Sequence, residues 1–164
     1  MIKKVIREYL ADDAQLMTNV SNVFSFFNAS NTRRVNNVVN KSLFPMITIN
    51  EFEKILEEGH QSGSTLAFKS TLEIQLDTIV DPDACNDKQI ERLHEQEDEH
   101  EESADRIIRL LHALSGTVNG TLIGMCVFQD SQDSQLNYNL VNNDKDQVVY
   151  RKTLIFNINY EEGA

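Results

Sequence analysis

The densest collection of chemically capable groups is the run His94-Glu95-Gln96-Glu97-Asp98-Glu99-His100-Glu101-Glu102. A helix would set His94, Glu97, Asp98 and Glu101 on adjacent turns, and imidazole with carboxylates is a ligand set for zinc or iron. The run is not HExxH, its two histidines are six apart and so point in different directions, and one helix rarely completes a closed site. A solvated acidic helix is therefore the expectation. His112, beside Leu110, Leu111 and Leu114 near a helix C-terminus, reads as core edge, since imidazole is favoured at the negative end of the dipole. His60 lies in a Gly/Ser turn with no nucleophile around it, and the chain holds no GxSxG, P-loop or GxGxxG. Cys85 sits in a polar loop and Cys126 in an apolar segment, with no metal or disulfide framework. Tyr138, Tyr150 and Tyr160 would need a basic groove to stack nucleic-acid bases. Only Lys145, Arg151 and Lys152 are near them, so packing on a sheet face is expected. Asn28, Asn40 and Asn119 are chance sequon matches. The chain reads as a protein that is not an enzyme, with no catalytic residue, no cofactor and no metal.

The elements that must position these groups follow from composition and pattern. At 164 residues, with 40% hydrophobic and 25% charged residues, residues 1–164 are expected to form one domain with a proper core. MIKKVIREYL is not a signal peptide, and no apolar run approaches 18 residues, so neither export nor membrane insertion is expected. The formal charge of -11 argues against general affinity for nucleic acid or anionic membrane, because phosphate binding requires clustered Lys and Arg. The acid is concentrated from Glu91 to Asp105, while the amino-terminal forty residues are more basic than acidic. That asymmetry can place unlike charges face to face between neighbouring copies.

Ile2, Val5, Ile6, Tyr9 and Leu10 fall at helical spacing, and Leu16, Val20, Val23, Phe24 and Phe27 carry the rhythm on after Asp12 and Asp13. Asn28 to Asn40 has no period and reads as a long irregular connection. A strand follows Pro45, and after the turn at Gly59 to Ser64 a second, long one alternates: Leu66, Phe68, Leu72, Ile74, Leu76 and Val80 dry, and the odd positions, Asp77 included, wet. Asp87 is the expected N-cap of the acidic helix, whose apolar seam is interrupted at Glu97 and His100. The seam resumes at Ala104, Ile107, Ile108, Leu111 and Leu114, and Gly116 is the expected C-cap. Asn119-Gly120 marks a turn into the strand Thr121 to Phe128, which Gly124 weakens. Gln129 to Gln147 is a polar stretch in which Leu136, Tyr138, Leu140 and Val141 suggest a hairpin arm, and Val148 to Tyr160 is the last strand. The fold class expected is α+β: a mostly antiparallel four- to five-stranded sheet with helices packed on one face, an acidic helical segment at 85–102 and a polar hairpin arm at 129–147.

Laid out in this order, the chain resembles the tail terminator, or tail completion, family of long-tailed phages. The likeness is carried by the amino-terminal helix broken at Asp12-Asp13, the strand Pro45-Met46-Ile47-Thr48-Ile49, the alternating Leu72-Glu73-Ile74-Gln75-Leu76, the helix Ala104 to Leu114, Thr121 to Phe128, and the closing Tyr150-Arg151-Lys152-Thr153-Leu154-Ile155-Phe156-Asn157-Ile158. The resemblance implies a virion protein, resident in host cytoplasm before assembly, that forms a hexameric ring at the head-proximal end of the tail. Such a ring caps the tail tube protein, ends elongation, docks a head completion or connector protein, and lets DNA pass without gripping it. A neck protein of related fold and an acidic DNA mimic are the alternatives. Residues without a role inside one copy are the expected subunit or partner interface: Arg33 and Arg34, Glu97 and Glu101, and Leu136, Tyr138 and Leu140.

Overall fold

A computed structural model describes residues 2–25, 34–35, 38–39, 41–57, 65–80, 86–140 and 143–163; 34–35, 38–39, 41, 136–140, 143–147 and 163 are described by backbone alone. Helix α1 (Ile2–Ala11) buries Ile2, Val5, Ile6 and Leu10, the stripe its spacing predicts. Asp13 caps the short helix α2 (Ala14–Met17) by accepting the Leu16 N–H at 2.8 Å. Its carboxylate also takes Nε and one terminal nitrogen of Arg106 at 3.0 and 2.7 Å, which ties this corner to a helix far along the chain.

The helical rhythm does not continue beyond α2. Val23 and Phe24 lie in strand β1 (Asn22–Phe24), which is too short to carry a period of its own, and the Asn22 side-chain amide is pinned to the Leu43 carbonyl at 3.0 Å. Within the stretch expected to be irregular, β2 (Arg34–Val35) and β3 (Val38–Val39) pair antiparallel. Phe27, His60, the Gly59 to Ser64 turn and Cys85 lie outside the described residues.

Strand β4 (Met46–Leu56) follows Pro45, and β5 (Thr65–Val80) has the predicted length but keeps the predicted alternation only from Thr71 to Leu76; near its start Leu66, expected on the dry face, is 41% exposed and Ala67 is buried instead. Helix α3 (Asp87–Leu111) is capped one residue earlier than expected, by Asn86 in a reciprocal box with Gln89. It also ends earlier, at His112 rather than Gly116: Ala113 takes the left-handed conformation (φ 64) and donates its N–H to the Cys126 carbonyl at 2.7 Å. That bond turns the chain directly into β6 (Leu114–Val118), where Gly116 lies with φ 93. Asn119 and Gly120, both at positive φ (46 and 82), make the two-residue turn into β7 (Thr121–Leu140). β7 and the last strand, β8 (Asn143–Gly163), pair through the polar stretch to Leu140 and Asn143.

The fold is α+β, with one curled six-stranded sheet in the order β1-β4-β5-β8-β7-β6. All its pairings are antiparallel except β1 with β4. The strands beyond the expected four or five are its short edges, β1 and β6, which are too brief to show a period. Helix α1 packs on β1 and β4, and α3 on β5, β7 and β8. Between the helices and sheet sit Leu72, Ile74, Leu76, Leu154, Phe156 and Ile158, each at most 2% exposed. Burying an aliphatic or Phe side chain is worth about 1.5–3 kcal/mol, so this layer dominates stability.

The helix–sheet junction as candidate functional site

Titratable groups converge where α3 crosses β5, β8 and β7. His100, which the sequence pattern treats as a break in the seam, is buried and belongs to it. Its Nδ1 lies 2.8 Å from the hydroxyl of Thr78 on β5. Burial pushes the imidazole pKa below its ordinary value; the Glu101 carboxylate opposes that, Lys152 reinforces it, and Asp133 and Asp77 oppose it more weakly. At the next residue of the helix, Glu101 accepts from Lys152 on β8 at 2.9 Å, and the same ammonium lies 3.3 Å from Asp133 on β7. Burial would lower the Lys152 pKa, but the bonds to Glu101 and Asp133 hold it raised.

Asp77 overturns the alternation argument. Expected on the wet face, it is 1% exposed and receives Nε and one terminal nitrogen of its cross-strand partner Arg151 at 2.8 and 3.0 Å. The bidentate match is what allows a carboxylate to be buried there. Two open clefts flank α3 and share His100 as part of their lining. One, of about 940 Å³, runs between Met17–Ser21, Phe44 and Pro45 on one wall and Arg92, Glu95 and Glu99 on the other. The second, of about 670 Å³, lies between Glu97, Asp98 and Glu101 on α3 and Asp133, Ser134, Gln135, Tyr150 and Arg151 on the hairpin.

The expected interface residues fall in different places. Glu97 and Glu101 share a wall of the second cleft, with Glu97 3.8 Å from the His94 ring. Leu136, Tyr138 and Leu140 continue β7 beyond that cleft, in register with Val149, Gln147 and Asn143. Arg34 is in β2, opposite Val39, and Arg33 lies outside the described residues. The structure sets β3 against β7. His112, read as core edge, is exposed and accepts the Phe128 N–H at 3.1 Å. Among the described residues no three His, Cys, Asp or Glu side chains converge as metal ligands.

Sequence reasoning missed Asp77, Thr78, Arg151 and Lys152, whose relation depends on strand register. Two further groups are set apart by burial. The Cys126 thiol is pushed up to about 12. The Tyr160 phenol is raised by burial and by its hydrogen bond to Glu51.

No protein-family model and no curated protein matches this chain. Among solved structures it is similar in fold to a chain described as "Virion of native gene transfer agent (GTA) particle", at 10% identity and TM-score 0.53, covering 98% of this chain and 95% of that one.

Proposed function

We propose that this chain is a structural protein of a phage-like virion, and that its role is that of a tail terminator: a ring that caps the tail tube, stops its growth and presents a docking surface to the head. The observation that carries this reading is the fold likeness to a virion chain over nearly the whole of both proteins. The junction supports a structural role, since its charged groups are engaged with one another: Arg151 with Asp77, Lys152 with Glu101 and Asp133, His100 with Thr78. A net charge of -11 suits a ring through which DNA passes without being held.

The ring uses the acidic helix and the arm of each copy, with Glu97 and Glu101 facing Arg33 and Arg34 of the next, and Leu136, Tyr138 and Leu140 extending towards the head or tube partner. Light scattering and native mass spectrometry, with and without purified tail tubes, test it. A closed oligomer, alone or on tube ends, is expected, and reversing Arg33 and Arg34 to Glu should leave a folded monomer and tails of uncontrolled length. A protein that stays monomeric with tubes present, or tails of normal length joined to filled heads with the reversed variant, refutes the mechanism.

A further inference from the structure

The two edges of the sheet are stepped, and the steps match. On one edge β1 covers only Met46 to Thr48 of β4, so on the side away from β5 the rest of β4 has no strand beside it among the described residues. On the other edge β6 stands beyond β7 only where β7 begins, pairing with Thr121 to Cys126. The register fixes their heights: Leu56 is level with Phe68, Phe68 with Tyr160, Tyr160 with Ile123, and Ile123 with Gly116. The notch beside β4 and the tongue of β6 therefore lie at the same height on opposite edges.

Chemistry marks the notch as a covered surface. Phe52, Ile55 and Leu56 are 47%, 64% and 40% exposed, three large apolar side chains on a five-residue stretch of an edge strand. Such an edge offers unpaired backbone groups together with apolar area, the combination that accepts an added strand. The tongue presents small exposed residues, Ser115, Gly116 and Thr117, which leave room for large neighbours. Both strands are irregular at nearly the same height: β4 between Phe52 and Ile55, with Glu53 at φ 54, and β6 between Leu114 and Gly116, with Gly116 at φ 93. A bulge bends its own strand, and these two bend β4 and β6 at nearly the same height.

We propose that β6 of one copy docks in the notch beside β4 of the next, so that the sheets of successive copies run on as one. Tracing directions through the antiparallel pairings, β4 and β6 point the same way, so the new pair is parallel. The contact is head-to-tail, joining different surfaces of the two copies, and such contacts close into rings when the rotation per copy allows. This deepens the ring reading above and rests on it.

Ile55→Cys with Ser115→Cys, in a Cys85→Ser background, tests the contact under mild oxidation at concentrations where the oligomer forms, or on tube ends. A ladder of covalent multimers ending at the ring is expected, whereas each single-cysteine variant should give no species beyond a dimer. Ile55→Glu, at an exposed position, should leave the melting temperature unchanged and weaken association about tenfold or more. An oligomer of normal size and affinity in Ile55→Glu, with no ladder in the double-cysteine variant, overturns this contact and leaves the ring reading standing. A protein that is monomeric even on tube ends overturns both.

Discussion

From Ser103 onward α3 is held by Ala104, Ile107 and Leu111, none more than 1% exposed, whereas no residue before His100 is more than partly buried. The same helix on the same sheet is thus fixed in two ways. Three apolar anchors at about 1.5–3 kcal/mol for each large side chain set the position of the carboxy-terminal half. The amino-terminal half hangs on the buried hydrogen bond of His100 to Thr78, with a net worth of about 0.5–1.5 kcal/mol, and on the more exposed pair of Glu101 with Lys152, which is worth less. One half is architecture, and the other is a presented surface that can shift at little expense to the fold.

The strongest way to break this contrast is Leu111→Asp. A charge placed in the core that Leu111 shares with Ala104 and Ile107 should remove several kcal/mol, comparable with the whole stability of a domain, and leave no cooperative thermal transition. A melting temperature within a degree or two of the parent would mean that this half is not anchored as described. Next comes Arg151→Ala, which strips the bidentate partner from a buried Asp77; a loss of about 3 kcal/mol is expected in denaturant unfolding. Asp77→Asn combined with it should recover part of that loss, and failure to recover any would exclude the carboxylate as the source.

A smaller effect sharpens the contrast through pH. His100 has a folded-state pKa below the ordinary 6.5, so the unfolded chain takes up its proton first as pH falls. The stability tied to neutral His100 is fully present above about pH 6.5 and is lost as pH drops from there through the lowered folded value. His100→Gln should flatten that limb of the curve of melting temperature against pH, and hydrogen exchange should quicken in residues 88–98 before 104–111. An unchanged limb in His100→Gln would assign the slope to other groups. The smallest effect belongs to Glu97→Gln with Glu101→Gln. Glu101 is 58% exposed and Lys152 keeps Asp133, so no more than about 0.5 kcal/mol should be lost, with metal content unaltered. Stoichiometric metal in the parent, absent from the variant, would overturn the reading of that wall as plain surface.

Whatever is periodic over many residues was legible in the sequence: α1, the sixteen residues of β5, and the anchored seam of α3 each repeat their signal several times. The Asn119-Gly120 turn was legible for a different reason, since that dipeptide accepts positive φ without strain. What escaped was short or relational. β1 and β6, of three and five residues, carry no period, and the burial of Asp77 depends on Arg151, 74 positions away, being its cross-strand partner. Phe52, Ile55 and Leu56 gave no signal because an apolar residue does not show in the sequence whether its strand lies at an edge, and among the described residues β4 has a partner strand beside them only in β5. The candidate site was half visible: Glu97 and Glu101 were singled out, while the groups they face were not.

Cys126 has a consequence for how this molecule can be watched. Its thiol is 0% exposed and raised to about 12, so almost no thiolate is present near neutral pH and none can be reached. Reaction with a disulfide reagent must wait for the β7–β8 layer to open. In a Cys85→Ser background the labelling rate is then a clock of native-state opening that needs no denaturant, and it can be read while neighbouring copies come and go.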